Sequence, residues 1–147
     1  MEYEFARINL TETRYRATVH WQQISEPTHE TVQQLQQIYR EYCAYKKFKS
    51  VMPIFVSEFY NPSNDIIGYY DQSKLVAFSL LRRYDDANVE SVQFAWNYCN
   101  PKLRLGIESL KTECAIYRDR EFQYLYLDYA HEYKKHIQGF EILGPVL

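Results

Sequence analysis

The sequence predicts an α/β fold built on one mixed sheet, in which an antiparallel meander precedes a central β-α-β crossover. Three features carry this prediction. Between residues 66 and 98, three runs rich in apolar, β-branched and aromatic residues are separated only by short polar turns, which makes them antiparallel neighbours. From Leu105 to Arg120, apolar residues recur at helical spacing, with Ile107, Leu110, Cys114 and Tyr117 on one face. A further strand-like run, Tyr124 to Tyr129, follows that helix, and a strand reached through a crossover helix lies parallel to its predecessor.

The remaining elements fall in order around this centre. Tyr15, Ala17, Val19 and Trp21 alternate with Arg16, Thr18 and His20, the period of a first strand with one apolar face. Ser25-Glu26-Pro27 reads as a helix start, with serine as the cap, proline in the first turn, and Glu26 and Glu30 near the positive helix end. The buried stripe of that helix is Val32, Leu35, Ile38, Tyr39 and Tyr42. Val51 to Tyr60, broken by Pro53 and closed by Asn61-Pro62, reads as a short second helix or an ordered loop. The meander consists of Ile66 to Tyr70, Leu75 to Tyr84 and Val89 to Tyr98, joined by Asp71-Gln72-Ser73-Lys74 and Asp85-Asp86-Ala87-Asn88. Asn100-Pro101 ends it, and Phe140 to Leu143 forms a last strand. With no internal repeat, low-complexity tract or linker, residues 1–147 are expected to form a single domain.

Composition narrows the class. Hydrophobic residues make up 46% and charged residues 24%, the balance of a folded globular chain. Fifteen tyrosines stand against eight phenylalanines and two tryptophans, which suits half-buried strands or a groove lined with phenols. The net charge of −2 argues against a broad nucleic-acid surface, which would be basic overall. Positive charge is local: Lys46, Lys47 and Lys49; Arg82 and Arg83; Lys102 and Arg104; Lys134, Lys135 and His136. Cys43, Cys99 and Cys114 have no zinc-ligand spacing, and Cys43 and Cys114 fall on apolar helix faces as small buried hydrophobes. His20, His29, His131 and His136 are equally scattered, so no metal is expected. No stretch reads as a signal peptide or a membrane span, and reduced cysteines place the expected compartment in the cytosol, away from membranes.

In mixed sheets of this kind ligands bind at the carboxyl ends of the parallel strands, here the loop from Tyr98 to Gly106 and the end of the Tyr124–Tyr129 strand. Gly106 at the head of the crossover helix offers free N–H groups to an anion, with Leu105 beside it and Lys102 and Arg104 positioned to add charge-assisted bonds. The bland alternative is that Gly106 only lets helix and strand pack closely. Asp128, near the end of the parallel strand, is a candidate to hold or deprotonate an acceptor amine, or else a cap for the following turn. Glu90, Gln93 and Asn97 interrupt the third meander strand with polar side chains and are candidates for an acceptor groove, or for a wet face.

The order of elements resembles that of the Gcn5-related N-acetyltransferase superfamily across nearly the whole chain. The family motif R/Q-x-x-G-x-G/A, which binds the pyrophosphate of coenzyme A, corresponds to Leu103-Arg104-Leu105-Gly106-Ile107-Glu108. Gly106 matches, whereas Leu103 replaces Arg or Gln and Glu108 replaces the last Gly or Ala. The expectation is that the Glu108 carboxylate bonds the free N–H groups from within and repels a pyrophosphate. Tyr129 and Tyr133 lie where these enzymes often keep a tyrosine as acid toward the leaving group. A second resemblance is to the catalytic domain of aminoacyl-tRNA–protein transferases, carried by Leu105-Gly106-Ile107-Glu108-Ser109-Leu110, Tyr124-Leu125-Tyr126-Leu127-Asp128-Tyr129, Tyr133-Lys134 and Gly139-Phe140-Glu141. Asp128 stands where that family has a strand glycine.

The resemblances imply transfer of an acyl or aminoacyl group to an amine-bearing peptide, protein or small molecule, with aminoacyl-tRNA or acyl-coenzyme A as donor. Such chemistry needs a polarised carbonyl and a deprotonated amine more than it needs covalent catalysis. A non-catalytic binding module of the same fold is the reading from a different class.

Overall fold

The computed structural model describes residues 4–47, 54, 56–127 and 132–145, with the backbone alone at Glu4, Glu132, Tyr133, Gly144 and Pro145. Its strands are β1 (Glu4–Asn9), β2 (His20–Gln23), β3 (Asn64–Asp71), β4 (Lys74–Arg83), β5 (Asn88–Trp96), β6 (Tyr124–Leu127) and β7 (Phe140–Pro145). Its α-helices are α1 (His29–Lys46), α2 (Val56–Tyr60) and α3 (Leu105–Asp119). Among the described residues the strands form one seven-stranded mixed sheet in the order β2-β3-β4-β5-β6-β1-β7.

The meander and the crossover stand where the sequence placed them. β3, β4 and β5 are antiparallel neighbours, and β5 pairs parallel with β6. The β3–β4 turn is tighter than expected, because the register closes Asp71 onto Lys74 and leaves only Gln72 and Ser73 between them. Both have positive φ, 51° and 69°, the twist that a two-residue hairpin requires.

The amino-terminal part differs. Tyr15 to Trp21 is not a strand; the strand begins at His20, and residues 13–19 form a strap across α3. The strap is held by Arg118, whose guanidinium donates to the carbonyls of Thr13 (3.1 Å) and Tyr15 (2.7 Å), and by the Thr112 hydroxyl, which accepts from the Thr18 N–H at 3.3 Å. Its apolar alternation holds in part, since Tyr15 and Val19 pack on the core without a strand partner while Ala17 is exposed, and Trp21 belongs to β2, paired with Tyr69. The strand that sequence reasoning missed is β1, inserted antiparallel between β6 and β7, with Ala6 and Ile8 fully buried. Gly139 permits the close approach of β7. It has φ 75°, its carbonyl accepts from the Asn9 N–H at 2.8 Å, and a Cβ there would stand 2.3 Å from the Asn9 carbonyl oxygen.

Helix α1 starts one turn later than Ser25 suggested. Thr28 is its cap, accepting from the Thr31 N–H at 3.1 Å, while Pro27 is buried ahead of it and Glu26 takes φ 49°. Val32, Leu35, Ile38 and Tyr39 bury the predicted stripe against Ile66, Phe78, Leu80 and Ala95 on one sheet face. On the other face α3 packs Leu105, Leu110, Cys114 and Tyr117 against Ile67, Tyr69, Ala77, Leu81, Val89 and Leu125. Cys114 is buried as predicted; Cys43 is half-buried and Cys99 exposed.

Two buried carboxylates fix α3 to the sheet. Glu113, 2% exposed, accepts from the Tyr69 hydroxyl (2.7 Å) and the Ser79 hydroxyl (3.0 Å). Asp65, 4% exposed, accepts from the Tyr117 hydroxyl at 2.7 Å and from Arg83 Nε and Gln23 Nε2 at 3.2 Å, with Arg120 3.7 Å away. Asp65 thus has cationic partners, while Glu113 is bonded by hydroxyls. Loss of hydration pushes the Glu113 carboxyl up from 4.5 to about 7, against the lowering effect of the two hydroxyl bonds and the nearby Lys134.

A carboxyl whose folded value is raised binds more protons in the folded state, so the contribution of Glu113 to stability is greatest below about pH 4.5 and falls as pH rises to about 7. The loss is on the order of 3 kcal/mol, at about 1.4 kcal/mol for each tenfold change in the proton equilibrium. Glu113→Gln, which keeps an acceptor for both hydroxyls without a charge, is expected to flatten that part of the profile. Urea denaturation of both proteins from pH 5 to 8 checks it, and parallel slopes would refute the assignment.

Candidate functional site

The parallel ladder between β5 and β6 is short: Asn88, Val89 and Glu90 pair with Tyr124, Leu125 and Tyr126. Immediately beyond it, β5 carries a bulge. Leu80 pairs with Gln93 and Leu81 with Ser91, so Val92 is an extra residue. A bulge bends its strand and sharpens the local twist. From Ser91 onward, among the described residues, β5 keeps its ladder with β4 and has none with β6. The Phe94 N–H accordingly contacts the Gln93 amide oxygen, at 3.2 Å.

A cleft of about 780 Å³ opens where the strands have parted. Phe94, Trp96 and Tyr98 come from β5 and its exit, Gly106, Ile107 and Lys111 from the start of α3, and Tyr42, Tyr45 and Lys46 from the last turns of α1. Tyr15 from the strap, with His136 and Ile137 at the end of the short 3-10 helix Glu132–His136, completes the wall together with Pro101 and Arg104. Lys46, Arg104, Lys111 and His136 contribute to the lining, and among the described residues no Asp or Glu does. The described lining is therefore electropositive in a chain of net charge −2.

The amino end of α3 is uncapped. Arg104 occupies the cap position with φ 50° and makes no side-chain cap bond. Its carbonyl accepts from the N–H groups of Ile107 (3.2 Å) and Glu108 (3.0 Å), whereas among the described residues those of Leu105 and Gly106 have no protein acceptor. The close-packing reading of Gly106 does not hold, because a Cβ there would meet nothing within 4 Å.

Glu108 does not occupy the anion site. Its carboxylate accepts from the Thr18 hydroxyl at 2.6 Å and lies 3.9 Å from Lys111 Nζ, turned toward the strap. The expectation that it bonds the helix-start N–H groups from within is thereby corrected. Thr18, supplied by a segment read as a strand, was the unforeseen partner.

The other candidates separate. Arg104 and Gly106 line the cleft; Leu105 is 1% exposed, with only its N–H relevant; Lys102 is exposed on the 3-10 turn Pro101–Leu103 and is not part of the lining. The acceptor-groove set is not brought together. Glu90 lies at the opposite end of β5 and accepts from the Tyr84 hydroxyl. Gln93 donates to the Tyr39 hydroxyl at 3.1 Å on the α1 face, and Asn97 accepts from the Cys99 N–H at 3.1 Å in the turn after β5. Asp128 and Tyr129 lie outside the described residues, and Tyr133 has only its backbone described, in the 3-10 helix that ends with His136. Sequence reasoning missed Tyr15, Tyr42, Tyr45, Trp96 and Lys111 as cleft residues; the i, i+3, i+4 spacing of Tyr42, Tyr45 and Lys46 was the available signal.

Among the described residues no helix is long and apolar enough to cross a membrane, and no group of three or more His, Cys, Asp and Glu could hold a metal ion.

This sheet, parted beyond a short parallel ladder with a crossover helix over the opening, is the fold of the Gcn5-related N-acetyltransferases. A member from Anabaena variabilis superposes with TM-score 0.65 at 8% identity, over 98% of this chain and 38% of that one. The fold also matches the C-terminal domain assigned to a lysylphosphatidylglycerol synthetase of Agrobacterium fabrum, with TM-score 0.69 at 12% identity over 88% of this chain and 47% of that one. L-PGS from Bacillus licheniformis matches with TM-score 0.68 at 16% identity, over 88% and 48%. The chain thus spans about half the length of each of these two matched chains, the first of which is itself a C-terminal domain. No protein-family model and no curated protein sequence matches it.

Gly106→Ala separates a structural from a binding role. With open space around the new methyl, the fold should tolerate it and gain up to about 1 kcal/mol from the better helix former. Chemical denaturation reads this, and a marked loss of stability would restore the close-packing explanation.

Proposed function

We propose that this chain is an acyltransferase that passes an acyl group from a phosphate-bearing donor to an amine. The observation that carries the reading is the Gly106 N–H, unpartnered among the described residues like that of buried Leu105 beside it, in a cleft whose described lining holds cations and no carboxylate. Backbone N–H groups at a helix start with adjacent guanidinium and ammonium groups suit phosphate oxygens. The parted edge of β5 suits the donor's carbonyl, whose polarisation is the main demand of the reaction. The amine nitrogen attacks that carbonyl carbon, the ester or thioester bond breaks, and the leaving oxygen or sulfur ends with a proton taken from the amine. Tyr133 and His136 share the 3-10 helix beside the cleft, and His136 is in its lining as a candidate proton carrier.

Within this class, we favour an aminoacyl-tRNA donor. The Leu105–Leu110 and Tyr124–Tyr129 strings support it, as does likeness to the Agrobacterium fabrum domain, whose name states that a lysyl group is joined to a lipid. Acyl-coenzyme A is the second reading, favoured by the position of Glu108, whose carboxylate leaves the helix start open.

Calorimetric titration with an aminoacyl-tRNA, acetyl-coenzyme A and inorganic pyrophosphate tests the reading. At least one donor is expected to bind, and Arg104→Ala should weaken that binding by roughly 1.5–3 kcal/mol, the worth of a hydrogen bond to a charged group. Failure of all three ligands to bind the wild type would overturn it.

A further inference from the structure

The cleft carries an aromatic feature that anion binding leaves unused. The Tyr98 ring lies on the Tyr45 ring with centroids 3.7 Å apart and planes at 19°, and it is nearly parallel to Tyr42 at 5.9 Å and 10°. Trp96 touches the same ring at 3.9 Å. Tyr98 is held there with φ 59°, and its hydroxyl is buried with no partner among the described residues. Tyr45 is 63% exposed although Tyr98 covers one side of it, so its outer face is open to solvent. Beside the stack, Lys46 Nζ stands 5.9 Å from the Tyr98 ring.

Charge selects what such a platform takes. A cationic amine would meet Lys46, Arg104 and Lys111 with no carboxylate in the described lining to receive it, and an uncharged apolar group would leave those cations unanswered. A planar π system bearing phosphate satisfies both, as in the sites where nucleic-acid bases stack on aromatic rings along a basic groove. Resting on the reading of this cleft as the donor site, we propose that Tyr45 is the stacking platform for the adenine of the donor, with its phosphates directed to Arg104 and the free N–H groups of α3. Adenosine phosphate is common to coenzyme A and to the 3′ end of tRNA, so the subsite serves either source.

The test titrates the whole chain with AMP, with ribose 5-phosphate as its base-less control, and with pyrophosphate, following tryptophan fluorescence and heat. Tyr45→Ala is expected to weaken AMP about tenfold to a hundredfold, the range that base stacking gives on alanine substitution, and to leave ribose 5-phosphate and pyrophosphate unchanged. Tyr45→Trp should restore AMP affinity. The same variants titrated with coenzyme A and with a CCA-ended RNA minihelix identify the source as whichever shows the Tyr45-dependent loss. The proposal is overturned if AMP binds no tighter than ribose 5-phosphate, or if Tyr45→Ala weakens all the ligands alike or none of them. Pyrophosphate binding that survives such a result leaves the donor cleft standing, and its absence removes both.

Discussion

Everything at the cleft depends on where α3 is pinned, and Glu113 and Asp65 pin it. Glu113 reaches into the middle of the sheet from two turns below Gly106, about 10 Å along the helix axis. Asp65 grips Tyr117 near the other end. Hydrophobic packing alone would hold α3 against the sheet but would leave it freer to slide, because apolar contacts are non-directional. Hydroxyl-to-carboxylate bonds at two heights fix translation and rotation together. The strap then follows from α3, since Thr112 and Arg118 hold its backbone, and that places Tyr15 in the cleft wall. The cost is a carboxyl kept in a dry place, which makes the anchor sensitive to pH near neutrality.

The central architecture was legible because it depends on local signals. Short polar turns fixed the meander, helical spacing fixed α3, and a crossover of that length fixed the parallel sense. What the sequence hid rests on long-range pairing or on a break in period. Ala6, Ile8 and Leu10 alternate visibly with Arg7 and Asn9, yet nothing local says that this strand inserts between β6 and β7. The strap shows the same alternation without a strand partner.

The bulge had the larger consequence for the site. Before Val92 the odd-numbered residue Val89 faces α3, whereas after it Phe94 and Trp96 do, so Gln93 turns to Tyr39 on the α1 face. Polarity within an apolar strand made Gln93 a groove candidate, and polarity alone does not say which face the bulge gives it. No residue type marks the bulge; it is recognised only from the register of β4. The aromatic stack is a similar case. Tyr42, Tyr45 and Lys46 visibly share a helix face, but whether that face looks on a cleft depends on how α1 crosses the end of β5.

The departures from the pyrophosphate motif also take on a different meaning in three dimensions. A glutamate in the first turn of a helix is ordinarily read as self-capping, since its charge suits the positive end. Here the strap offers the Thr18 hydroxyl, and Lys111 stands one turn on, so the carboxylate is satisfied sideways and its charge is partly balanced. The cap residue supplies the other half of the argument. Ser, Thr, Asp or Asn at the Arg104 position would accept from the N–H two or three residues on, worth about 1 kcal/mol to the helix. Arginine has donors only and cannot do so, and its own backbone adopts a left-handed conformation that non-glycine residues adopt at a cost. The helix start thus gives up stability twice, through a missing cap and a strained backbone, and what remains is a pair of free N–H groups with a guanidinium beside them. That combination is unfavourable for an isolated helix and suited to one that waits for an anion.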